Sequence, residues 1–327
     1  MKAAFTICSN NYLAQAKVLT DSISNFSSDY DVYIILCDKK SNLIDYSYLN
    51  CKIIEVENIN IENFNWMIKR YNIVELNTAI KPFVLKHFLD MDYETVYYFD
   101  PDIKLYNSLD IIDRELGHNN FLLTPHSFSP LELDGNNPDD TTFLNYGIYN
   151  LGFCGARKSL ETYNILKWWS SILKQNCFII PMLGLFVDQL PMNLAPLYFK
   201  NVKIALNKGL NVSWWNLHER SLLIKDGKFV LNNGDDLCFF HFSNYKLSSP
   251  NEISIPQRYS RGKLIPNSPI DSLYKDYQNS LSEACKYFGN NIECFYGNTT
   301  FTDKIRFKIK GKLTHYLYSL ANILKRI

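Results

Sequence analysis

Short apolar runs of strand length alternate with longer segments of helical period through the first third of the chain, and no other sequence feature narrows the fold as much. AAFTIC, DVYIILCD, CKIIEVE and TVYYFD read as strands, while NNYLAQAKVLTDSISNF and ELNTAIKPFVLKHFLDMD carry apolar residues at helical spacing. This order predicts an α/β fold with a βαβ-type sheet. Thr78 is a candidate cap for the second helix, and Pro82 suits a first helical turn. Beyond it, SFSPLELDGNNPDDTT reads as an irregular polar loop. NYGIYNLGFCGAR, a helix over RKSLETYNILKWWSSILKQN, a loop-like IIPMLGLFVDQLPMNLAP and the short strands of NVKIAL and KFVLNNGDDLCFFHFSNY follow. The expected division is one domain over 1–262, its first part about 1–115 carrying the strand–helix alternation, and an extension over 263–327.

With 327 residues, 46% of them hydrophobic, the chain can bury a proper core. Its formal charge of +1 argues against a nucleic-acid binder working through bulk electrostatics. The 8 cysteines are scattered without a CxxC pair, which implies reduced, buried thiols and a cytoplasmic setting. MKAAFTICSNNY reads as a first strand rather than a signal-peptide core, and no 18-residue apolar window is present. Residues 301–327 hold seven Lys/Arg against one Asp, with Leu and Tyr at helical intervals from Leu313 onward. That pattern fits a basic amphipathic helix on an anionic membrane surface, and equally a docked helix with a solvated basic face.

Chemistry enters at the end of TVYYFD, where Asp100 and Asp102 follow a run of apolar and aromatic residues. Two carboxylates at a strand end can cap a turn. They can also serve a phosphotransferase of the haloacid-dehalogenase type, which Lys104 argues against, since that family places a small residue there. A third reading is a divalent cation bridging a diphosphate, for which alternate oxygen ligands are suited. His241, directly after LCFF and before Ser243, Asn244 and Lys246, is then a candidate nitrogen ligand; taken alone it also fits a half-buried histidine.

FDPD, YNLGFCGAR, VDQLPMNLAP, NVSWWNLHER and FFHFSNY, in this order, resemble a bacterial glycosyltransferase of the GT-A fold, similar to the family-eight-like enzymes with a DxD motif and a late metal-binding histidine. The resemblance spans about residues 3–262, implies a Rossmann-like nucleotide-binding part about 1–115, and implies Mn²⁺ or Mg²⁺ held by Asp100, Asp102 and His241. It places a nucleotide-sugar donor, with UDP expected, against Thr6, Ser9, Asn11 and Tyr12 of the first-strand loop, and directs Lys81, Asn150, Gly152, Ser243 and Lys246 at the donor. A capped helix start at Ser9 or Asn10 and a surface role for Lys81 are the structural alternatives. Asp188 and Gln189 match a polar pair facing the reactive carbon of the sugar, with retention of configuration favoured. Trp214 or Trp215 is a candidate acceptor contact, or a core residue. Asn244 stands where the family usually has glycine, and asparagine tolerates a left-handed backbone better than most residues. The implied partners are the donor and a glycan or lipid-linked acceptor of bacterial surface polysaccharide synthesis, with the tail as a peripheral membrane contact. A non-catalytic carbohydrate-binding or assembly protein on the same fold is the alternative.

Overall fold

The computed structural model describes residues 1–255, 258–289 and 292–297, together with Leu313, Tyr316 and Leu317. β1 (Lys2–Cys8), β2 (Asp31–Leu36) and β3 (Lys52–Glu55) run parallel, with α1 (Leu13–Phe26) crossing between the first two. Neither Ser9 nor Asn10 caps α1 through its side chain; Tyr12 occupies that position without a side-chain bond.

The single helix expected over ELNTAIKPFVLKHFLDMD is two, which follow α2 (Phe64–Arg70): α3 (Ile73–Ala79) and α4 (Lys81–Asp90). Pro82 sits in the first turn of α4, where its missing N–H costs nothing, and it could not have continued a helix from α3. Thr78 is not the cap. Its hydroxyl donates back to Val74 O at 2.9 Å, and Asn72 caps α3 instead, in a reciprocal box with Glu75.

β4 (Thr95–Phe99) and β5 (Ile103–Leu105) flank the acidic doublet and lead to α5 (Asp110–Leu116) and β6 (Phe121–Pro125). The polar stretch read as irregular ends in a helix, α6 (Asp140–Tyr146), because Asp139 accepts from Thr142 N as its cap. Then come β7 (Tyr149–Arg157), α7 (Leu160–Asn176), the short β8 (Ile179–Ile180) and β9 (Leu185–Phe186), α8 (Ala195–Tyr198) and β10 (Val202–Ile204). The hairpin of β11 (Leu222–Lys225) and β12 (Lys228–Leu231) precedes β13 (Phe239–His241) and α9 (Pro269–Phe288).

A 7-stranded sheet has the order β10-β6-β7-β4-β1-β2-β3, with β7 antiparallel to both β4 and β6. On one face Phe5 and Val96 pack with Val84 and Phe88 of α4 and Ile165 and Trp169 of α7. On the other, Ala4 and Tyr97 meet Leu19 and Ile23 of α1 and Ile112 of α5. Strands buried on both faces read as nearly continuous apolar runs, as these do.

α9 was not legible as part of this core. Leu273, Tyr274, Tyr277, Leu281, Ala284 and Phe288 recur at helical spacing and pack with α1 residues and with Phe240 and Phe242. The Phe242 and Tyr277 rings stack 3.8 Å apart. Each large buried side chain contributes roughly 1.5–3 kcal/mol, so α9 is firmly packed on α1 and β13. The amphipathic helix expected from Leu313 onward lies outside the described residues but for those three positions. Among the described residues no helix is long and apolar enough to cross a membrane. Cys8, Cys37, Cys154, Cys177 and Cys238 are buried thiols, as their placement in apolar runs implied.

Candidate functional site

Strand register assembles the first cluster. Asp100 N donates to Gly152 O at 2.7 Å where β4 leaves β7. β5 then pairs antiparallel with β13, setting His241 opposite Ile103, and Phe242 N donates to Asp102 O at 2.9 Å. His241 Nε2 thereby lies 3.0 Å from Asp102 Oδ1 and 3.8 Å from Asp100 Oδ2. One ligand atom from each of Asp100, Asp102 and His241 falls within a 4.8 Å span. Burial disfavours the charged imidazole, but Asp102 first and Asp100 second outweigh it and raise the His241 pKa. Gly152 is required by this packing: a Cβ there would stand 2.3 Å from His241 Cε1. Two carboxylates from the β4–β5 turn and one imidazole from the end of β13 are a donor set that suits a divalent cation. Tyr98 donates its hydroxyl to Asp100 Oδ1 and orients that carboxylate.

A buried ion pair adjoins the cluster. Lys81, 1% exposed and so no surface residue, puts Nζ 2.7 Å from Asp188 Oδ2 and 3.5 Å from Asp100 Oδ1, and donates to Leu151 O at 2.8 Å. Burial works against its charge, yet Asp100 and Asp188 hold the ammonium protonated. Burial pushes the Asp188 carboxyl up to about 6, against the pull of Lys81. Val187, immediately before, has φ +38, a costly backbone for a β-branched residue, worth about 1–3 kcal/mol. Gln189 spans the end of α6 and β7, accepting from Leu151 N at 3.0 Å and donating to Tyr146 O at 2.6 Å.

The first-strand loop is more self-contained. Ser9 Oγ donates to Cys37 O and accepts from Asn77 Nδ2, each at 3.0 Å. Thr6 is fully buried in β1 with its hydroxyl unpartnered among the described residues. Asn11 accepts from Cys294 Sγ at 3.3 Å. Tyr12, 42% exposed, has its phenol pushed up to about 12 by burial and by the charges of Asp102 and Asp100. Asn150 bonds Gly152 N, Asn211 Nδ2 and His126. Ser243 accepts from Asn244 Nδ2 at 3.0 Å, Asn244 has φ +64, a left-handed backbone that asparagine tolerates, and Lys246 is exposed. Both Trp214 and Trp215 are buried, and Trp215 meets His241 edge-on at 5.2 Å.

Sequence reasoning missed Asp38 and His126. Asp38 ends DVYIILCD as Asp100 ends TVYYFD, so the same signal was present. Asp38 is fully buried and accepts from Asn10 N, Asn10 Nδ2, Lys39 N and Phe295 N. His126 stacks on Phe143 at 5.2 Å and meets Trp215 at 5.4 Å, and burial lowers its pKa to about 3.

No family model matches the chain. It is 26% identical over 252 residues to the uncharacterized protein YfnF of Bacillus subtilis (strain 168), covering 76% of this chain and 83% of that one. The galactosyltransferase LgtC, solved with donor and acceptor sugar analogues, shares its fold at TM-score 0.50 and 16% identity over 86% of this chain and 96% of its own. The bifunctional glycosyltransferase WbbM gives TM-score 0.48 at 15% identity, over 84% of this chain and 51% of its own. The chain therefore has the GT-A fold expected of it, a mixed α/β sheet with a C-terminal helix.

Proposed function

We propose that this protein is a metal-dependent glycosyltransferase, moving a sugar from a nucleoside diphosphate donor, UDP in the first instance, to a glycan or lipid-linked acceptor. The observation that carries the reading is the convergence of Asp100, Asp102 and His241 at the carboxyl end of β4, where open α/β sheets bind ligands. A bound Mn²⁺ or Mg²⁺ would supply Lewis-acid stabilisation of the departing diphosphate, held by those three residues.

The chain's own groups do the rest by position. Lys81 keeps a permanent positive charge behind Asp100, fixed by Leu151 O and Asp188, and adds to the field favouring a leaving anion. Asp188 supplies negative charge for positive charge developing at the anomeric carbon, and its ion pair with Lys81 makes it a poorer covalent nucleophile. Retention by same-face attack is the reading this arrangement supports, with Gln189 holding the wall that carries Asp188. Tyr12, Ser243 and Lys246 stand at the donor side, and Trp214 and Trp215 back the acceptor side. A cytoplasmic setting in surface polysaccharide synthesis, with the basic tail against the membrane, belongs to the same proposal and rests on sequence.

The test is a screen of sugar nucleotides for transfer or slow hydrolysis with Mn²⁺ and with EDTA. A metal-dependent release of UDP is expected. A response to free glycans alone, independent of metal, would favour a carbohydrate-binding protein instead.

A further inference from the structure

Residues 292–297 cross the carboxyl ends of β1 and β2, and they are held at four places. Phe295 N donates to the buried Asp38 Oδ1 at 2.8 Å, and Cys294 Sγ donates to Asn11 Oδ1 at 3.3 Å. The Tyr296 hydroxyl bonds Glu57, with its ring edge-on to Phe64 at 5.6 Å. Gly297, at φ +83, runs so close to the start of α3 that a Cβ would stand 2.5 Å from Ile73 Cα. A segment meeting four separate elements through backbone, hydroxyl and a required glycine is built in place.

What it holds in place is an aromatic ring. Phe295 is 60% exposed, and Lys39 Nζ lies 4.2 Å from its ring centroid. A lone exposed apolar residue needs no explanation. This one is clamped on both sides of its backbone, and its neighbour Cys294 bonds Asn11 at the carboxyl end of β1, the strand that pairs with β4. Since β4, β1 and β2 are neighbours in that order, the sheet edge carries the metal cluster after β4, Asn11 and Tyr12 after β1, and Phe295 where the strap meets Asn11 and Asp38. A nucleoside diphosphate bound with its phosphates at the cluster carries its base at the opposite end.

We propose that residues 292–297 form a strap completing the nucleotide site, with the Phe295 ring as the platform on which the donor's base stacks. The inference rests on the functional reading above and assigns that site a wall from beyond the expected domain boundary. Asp38 is not the base's partner in this arrangement, because its oxygens already accept four N–H groups, one of them the strap's own. A ring pre-set by the strap loses little freedom on stacking, so its contribution goes into affinity.

Calorimetric titration of the full chain with UDP in the presence of Mn²⁺ tests this. Phe295→Ala is expected to bind UDP about tenfold more weakly, at the low end of one base–aromatic stack. Phe295→Tyr should keep the affinity, and Gly297→Val should lose it by lifting the strap from Ile73. Pyrophosphate with Mn²⁺, which has no base, should bind wild type and Phe295→Ala alike. Equal or tighter UDP binding by Phe295→Ala overturns the strap while leaving the functional reading in place. Wild-type protein that binds neither UDP nor pyrophosphate with Mn²⁺ overturns both.

Discussion

The two ends of the candidate cleft use the same kinds of side chain to different purposes. At the β1–β2 end, Ser9, Asn10 and Asp38 close bonds on one another and on backbone, leaving Asp38 with four donors around one buried carboxylate. At the β4–β13 end, Asp100, Asp102 and His241 point their ligand atoms at a common space, two of them partly exposed. Short polar residues at a strand end therefore do not by themselves mark a ligand contact. A group whose bonds are closed by its neighbours is frame; groups that bring ligand atoms from two elements to one space make the candidate site.

Four substitutions press on that contrast. Asp102→Ala removes a ligand from the convergent end and is expected to cut transfer about a thousandfold, since cation stabilisation of the leaving group is worth several kcal/mol. Its Tm should stay near wild type, because the side chain is at the partly exposed mouth. Lys81→Met leaves Asp188 buried without its partner, and urea denaturation should show a loss of about 3–5 kcal/mol. Adding Asp188→Leu should recover much of it, which an isolated loss of packing would not allow. Asp38→Asn turns an amide group toward N–H donors and should cost about 1–3 kcal/mol. The thermal shift caused by Mn²⁺ should survive that change if this end is frame.

The smallest effect is a pH slope. Burial lowers the His126 imidazole from 6.5 to about 3 in the folded chain, so the unfolded chain takes up the proton first. This contribution is whole above the unfolded value and is lost as pH falls toward the folded one. The slope is up to about 1.4 kcal/mol per pH unit. His126→Phe should flatten it when stabilities at pH 7 and pH 5 are compared.

Much of this was readable from residues because periodicity and strand-end chemistry are local. β1, α1, β2 and β4 follow from apolar spacing, and the doublet with His241 from charged or ligating groups placed after buried runs. Pro82 announced the start of α4, yet the break from α3 was read through, since both halves keep one apolar face. Ser268 caps α9 and Pro269 opens it, a start that was not read from the sequence, and its place in the core depends on α1 and Phe242 lying opposite, which no local pattern encodes. Lys81 illustrates the same limit. A lysine beside proline in a helix's first turn looks solvent-facing until Asp100 and Asp188 are folded around it.

The central claim is that the Asp100–Asp102–His241 end holds a divalent cation carrying a nucleoside diphosphate. Calorimetric titration of the wild-type chain with UDP, in Mn²⁺ and again in EDTA, addresses it directly. The account predicts saturable binding in Mn²⁺ that EDTA abolishes. Binding of equal strength in EDTA, or none under either condition, would contradict it.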